Sequence, residues 1–170
     1  MQAPEIYEET IPFPLMKVVL GVFIACTLLF LGLFVYQGFV GQVGSNPAPN
    51  WVYLIMFLWF AGFSALVRNF NKLAINITTQ SITVGFGAFK RVTPWENVRG
   101  CYLHQASAIG SYGGWGIRMG KVKGKWTLVY NVIGCPAIVL ELEEGRFKEF
   151  VFSTRNPDGV MQTARQQIRK

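Results

Sequence analysis

The sequence predicts a membrane α-hairpin followed by an α+β, largely all-β unit. That unit reads as seven short antiparallel strands in a small curved sheet or barrel, closed by a C-terminal helix. Three observations carry this. Residues 18–67 contain no Asp, Glu, Lys or Arg. From Leu73 onward apolar residues alternate with period two, and after Asn156 they recur every four residues. The 170 residues are 51% hydrophobic and 15% charged, against about 25% charged in soluble domains. Such a composition excludes a disordered chain, a collagen-like chain and a disulfide scaffold. It also leaves little chain for a large enzyme.

The first 17 residues carry Glu5, Glu8 and Glu9 against Lys17 and read as an N-terminal cytoplasmic segment. Residues 18–40 form the first apolar run. At ~1.5 Å per residue it reaches about 34 Å, enough to cross a ~30 Å hydrocarbon core. Its acidic leader, its length and the lack of a small-residue cleavage site argue against a signal peptide. Residues 41–50, with Pro47 and Pro49 and no charge, form an external loop. Residues 51–70 supply the second span, whose C-terminal end can be extended by a snorkelling Arg68. Lys17, Arg68 and Lys72 flank the spans on one side, and the 41–50 loop has no cation. The positive-inside rule then puts both termini, and residues 72–170, in the cytoplasm of a bacterial inner membrane. Trp51, Arg68 and Lys72 are the candidate membrane-interface residues. Gly21/Ala25 and Ala61/Ala65 have the small-xxx-small spacing that lets helices approach closely.

Leu73, Ile75 and Ile77 share one face of the first strand. The second reads as Ile82 to Ala88, with Gly85 and Gly87 marking strong bending or close packing. Pro94 ends that stretch. Further strands are expected at residues 98–103, 114–119, 126–131, 136–142 and 147–152. The turns between them include a basic one at residues 120–125 and a tight one at Glu144-Gly145. Asn156, Pro157 and Asp158 suit a helix N-terminus. Val160, Ala164 and Ile168 give that helix its apolar face, and Gly159 weakens it.

The run Ile82-Thr-Val-Gly-Phe-Gly-Ala-Phe-Lys90, then Pro94-Trp-Glu-Asn-Val98, then Tyr112-Gly-Gly-Trp-Gly-Ile-Arg118, resembles segments of small bacterial membrane proteins. In those proteins a pleckstrin-homology-like (PH-like) domain accompanies two transmembrane helices. The resemblance covers residues 72–170. It implies a seven-stranded, strongly bent antiparallel sandwich capped by the C-terminal helix, and no particular activity.

Catalytic templates fail on inspection. His104 is the single histidine. Cys101 and Cys135 lack the CxxC spacing of zinc and redox sites. A spacing of three puts Cys101 and His104 on opposite faces of a strand. The phosphate-loop pattern fails at Trp115 and Val122. The sequence therefore predicts no enzyme, no cofactor, no metal site and no nucleic-acid partner. What stands out is basic: Lys121, Lys123 and Lys125 alternate in a Gly-rich turn beside Arg118, while Lys90 and Arg91 end another strand. These six residues are the candidate lipid- or partner-binding set. In phosphoinositide-binding PH domains the cations cluster at the first hairpin, which here, at Gln80-Ser81, is uncharged. The leading expectation is a membrane-anchored binding or scaffold protein. It would dock a protein partner, join a membrane complex as an accessory subunit, or form a homo-oligomer. The alternative is a module sensing anionic membrane lipids at the cytoplasmic surface, with each surface cation contributing about 1 kcal/mol.

Overall fold

The computed structural model describes residues 4–104, 114–122 and 124–168. The chain forms two compact units. One is Pro14–Asn71; the other joins the residues up to Phe13 to those from Lys72 onward.

The helical unit holds two helices long and apolar enough to span a membrane, α1 (Pro14–Phe39) and α2 (Asn50–Asn69). They pack through aromatic rings. Phe60 lies 5.7 Å from Phe23 edge-on and 5.4 Å from Phe30 in a stack, and Phe63 stacks on Phe23 at 5.9 Å. The small-residue spacing does not bring the backbones together at Gly21, where a Cβ would meet open space. Hydroxyls inside the apolar helices are satisfied locally, Thr27 donating to the Phe23 carbonyl and Ser64 to that of Phe60. Gln37 Nε2 donates to the Ala48 carbonyl at 2.7 Å and so ties the connecting loop to α1.

The other unit contains nine strands among the described residues, where the sequence predicts seven. β1 (Glu5–Pro12), β2 (Lys72–Thr78), β3 (Ser81–Phe86) and β4 (Phe89–Pro94) form one antiparallel sheet in that order. β5 (Val98–Leu103), β6 (Gly116–Val122), β7 (Lys125–Asn131), β8 (Ala137–Leu142) and β9 (Glu149–Ser153) form a second, ordered β5-β8-β9-β7-β6. The β7–β9 pair is parallel, unlike the all-antiparallel expectation.

Two strands account for the difference in count. β1 comes from the segment read as a cytoplasmic leader and pairs with β2, Ile11 opposite Leu73 and Pro12 opposite Lys72. β4 arises because the stretch Ile82 to Ala88 is not one strand. Gly87, at φ 53°, turns the chain into a hairpin, so Lys90 lies across from Gly85. Gly85 is needed there because a Cβ would come within 2.5 Å of the Lys90 Cα.

The two sheets enclose one core. Leu73, Ile75, Ile77, Ile82, Val84 and Phe86 of the first sheet are fully buried. Phe86 packs 6.0 Å from Tyr130, which meets Phe150 edge-on at 5.4 Å. The central strands of the second sheet are buried on both faces: opposite the core, Val129, Val139 and Val151 form a buried row with Ala137. This explains their near-continuous apolar sequence. The final helix α3 (Pro157–Ile168) packs chiefly against β5 and buries Val160 and Ala164. Asn156 caps it, its Oδ1 accepting from the Gly159 N–H at 3.1 Å. Gly159 lies so close under the Asn156 amide that a side chain there would displace the cap.

Candidate binding surface at the hairpin ends

Two hairpin ends of the second sheet lie side by side. One joins β6 to β7, with Gly124 at φ 83° in the turn. The other joins β8 to β9 through residues 143–148. The Lys148 N–H donates to the Trp126 carbonyl at 2.8 Å, so the second connection runs beside the start of β7. Asn97, in a short 3-10 turn (Trp95–Asn97), fixes this connection. Its Oδ1 accepts from the Glu144 N–H at 2.7 Å, and its Nδ2 donates to the Glu144 carbonyl.

At this end the Trp126 indole carries two cations. Arg146 places its guanidinium 4.5 Å from the ring centroid, and the Lys121 ammonium lies at 5.7 Å. These are cation–π distances. Lys121 faces Trp126 because the two are cross-strand partners. Lys125 is engaged differently, its ammonium 3.3 Å from Glu149 and 3.6 Å from Glu141. The hydrogen bond to Glu149, and then that carboxylate's charge, hold its pKa above the ordinary lysine value. A groove lined by Arg99, Lys125, Glu143 and Lys148 adjoins the pair.

The six basic residues singled out by sequence do not form one patch. Lys121 and Lys125 belong to the hairpin end, and Lys123 lies outside the described residues. Arg118 sits two residues down β6, in the cross-strand row of Val129. Lys90 and Arg91 are on β4 of the other sheet and face opposite ways. Arg91 shares the inner face with Val84, and its charge opposes the upward shift that burial imposes on the Tyr130 phenol. Lys90 stands on the outer face, its side chain across Gly85. Trp51 occupies the first turn of α2 and Arg68 its last turn, and Lys72 opens β2 as an exposed residue.

Arg146 is absent from the sequence-predicted set because its hairpin, with Glu143, Glu144 and Glu149, is mainly acidic. Glu141 and Glu149 are the counter-ions of Lys125. Gly145, at φ 94°, turns the chain before Arg146; the sequence shows this turn but not the contact with Trp126 that follows it. Cys101 is buried, and burial pushes its thiol up to about 11, the reverse of what a nucleophile requires. No cluster of three metal-ligating side chains occurs among the described residues. Comparison with protein-family models, curated proteins and solved structures finds no match to this chain.

Proposed function

We propose that the chain is a non-enzymatic, membrane-anchored binding protein whose β unit, PH-like in kind, docks a protein partner or attaches the chain to a larger membrane complex. The observation that carries this reading is the exposed hairpin end where Lys121 and Arg146 flank Trp126. Trp and Arg are enriched at binding hot spots, where a rigid ring supplies area at little entropic cost. The two apolar helices support the anchor. Lys17, Arg68 and Lys72, set against an uncharged 41–50 loop, support a cytoplasmic β unit in a bacterial inner membrane.

Gentle detergent extraction of the full chain, followed by sizing and mass spectrometry of what travels with it, tests the proposal. Wild-type protein is expected to co-migrate with other membrane proteins, and Arg146→Glu with Lys121→Glu to release them. Identical migration of wild type and variant would refute the assignment to this surface. A second reading, sensing of anionic lipid, draws on the cations at the same end, Lys121, Lys125, Arg146 and Lys148. It predicts that hydrogen exchange in the β6–β7 hairpin slows when anionic lipid is added to bilayers holding the full chain.

A further inference from the structure

The β unit has two distinct ends, and they differ in chemistry. The chain leaves it at Phe13 and re-enters at Lys72, so this end is tied to α1 and α2 by covalent continuity. Phe13 packs edge-on against Trp115 with ring centroids 5.5 Å apart. The start of β6 therefore lies at the tethered end. Gly116 pairs with Asn131, and Asn131 Nδ2 donates to the Gly114 carbonyl at 2.6 Å, which draws the loop after β7 to the same place. In the first sheet Leu73 pairs with Phe86, so the Gly87-Ala88 turn and Lys90 belong to this end as well. Its exposed side chains include Trp115 (39%), Ile133 (44%), Lys72 and Lys90, with no acidic residue among these four.

The hairpin end is the opposite one. Lys121 lies five residues along β6 from Gly116, about 17 Å at ~3.4 Å per residue. That exceeds a physiological screening length of about 8 Å. Cations at the hairpin end would therefore feel a headgroup layer at the tethered end only weakly. With the tethered end against the headgroups and β6 directed away from them, the hairpin end would serve a different surface.

We propose that the tethered rim, through Trp115, Ile133, Lys72 and Lys90, rests on the anionic headgroup layer of the bilayer. Trp115 and Ile133 enter the interface, and the Trp126 end is held away from it. Trp is the residue most suited to the membrane interface, and lysines beside it complement anionic lipid. This inference rests on α1 and α2 spanning the bilayer. It assigns the lipid-facing role to a different set of residues from the hairpin cations.

The test uses the full chain reconstituted in vesicles that carry a nitroxide on the lipid headgroup, with tryptophan emission as the readout. Trp115→Phe, which keeps a ring against Phe13, is expected to remove emission that the nitroxide quenches. Trp126→Phe is expected to remove emission that survives it. Ile133→Trp, at an exposed position, should add a quenched component. Emission from Trp115 and the Ile133→Trp indole that is unaffected by the nitroxide, in a protein that resists alkaline extraction, overturns the rim assignment. Equal quenching of Trp115 and Trp126 overturns it also. Release of the protein by alkaline extraction overturns the spanning helices themselves, and the rim with them.

Discussion

Glu9 of β1 joins the two ends of the chain. Its Oε2 accepts from the Thr154 hydroxyl at 2.5 Å and from the Tyr7 hydroxyl at 2.9 Å, and its Oε1 accepts from the Arg155 N–H at 2.7 Å. Residues 154 and 155 lead directly into α3, so this carboxylate fastens an N-terminal strand to the start of the last helix. In Glu9→Ala all three bonds are lost. Arg155 is exposed and its N–H is rehydrated at little cost. Thr154 is fully buried; its oxygen still accepts from the Asn156 N–H at 3.1 Å, but its O–H loses its acceptor, and a buried donor left unpaired costs about 1–3 kcal/mol. With the modest loss at the half-exposed Tyr7, the expected destabilisation is about 2 kcal/mol. For a unit of this size that corresponds to a lowering of the melting temperature by roughly 8–15 °C. Glu9→Gln keeps an acceptor for Arg155, and either hydroxyl can rotate to receive its amide, so it should cost about half as much. The control is Glu8→Ala, one residue away on the opposite, exposed face, expected within about 0.5 kcal/mol of wild type. The assay is urea unfolding of the full chain in detergent, followed by tryptophan emission, to which the buried Trp95 contributes. If Glu9→Ala and Glu8→Ala unfold at the same urea concentration, the latch does not hold the fold.

Further expectations follow from the same geometry. Burial first, and the Glu9 carboxylate second, push the Tyr7 phenol up to about 12 from 10.0. The folded state therefore keeps a proton that the unfolded state gives up, so this contribution is fully present below pH 10 and is lost as pH rises towards 12. Tyr7→Phe should flatten that part of an alkaline unfolding profile. Gly85→Ala forces a Cβ against the Lys90 backbone and should cost about 1–3 kcal/mol, whereas Gly120→Ala, with open space around it, should be neutral or slightly stabilising in thermal unfolding. Asn156→Ala removes the cap of α3 and should cost about 1 kcal/mol, with faster exchange of the Gly159 amide. A membrane-impermeant alkylating reagent at pH 8 should label the half-exposed Cys135 well before Cys101, which is buried and protonated there.

Most of the fold was legible where one physical demand dominates a segment. Charge-free runs gave both apolar helices to within a few residues, and alternation gave the strands around Leu73 and Ile138. The Asn156 cap was legible because a side-chain acceptor, a proline and an acidic residue agree at one terminus. The hairpin site was half legible. Lys121 and Trp126 are neighbours on one hairpin, but Arg146 reaches the same ring from another, and no local pattern reports a contact between residues 20 apart.

The two unread strands, β1 and β4, are the edges of the same sheet, and they were unread for one reason. In the cross-strand row that runs Glu9, Ile75, Val84, Arg91, the two central residues are fully buried and the two outer ones are charged. The next row ends in Tyr7 and Thr93 around Ile77 and Ile82. Inward charges at the margins are a means by which sheets avoid pairing with another chain, since such an edge cannot be extended without burying them. The same charges erase the period-two alternation by which strands are recognised. Glu9 gains a second use, because the inward position at an edge is where a carboxylate can reach both the sheet and the start of α3. Replacing Arg91 with Leu would restore the alternation of β4 and remove its guard. The full chain in detergent should then associate more strongly, read as a concentration-dependent rise in size, while the Tyr130 phenol, freed of a neighbouring cation, titrates higher still. A variant that stays the same size over a wide concentration range would show that Arg91 is not what keeps this edge unpaired.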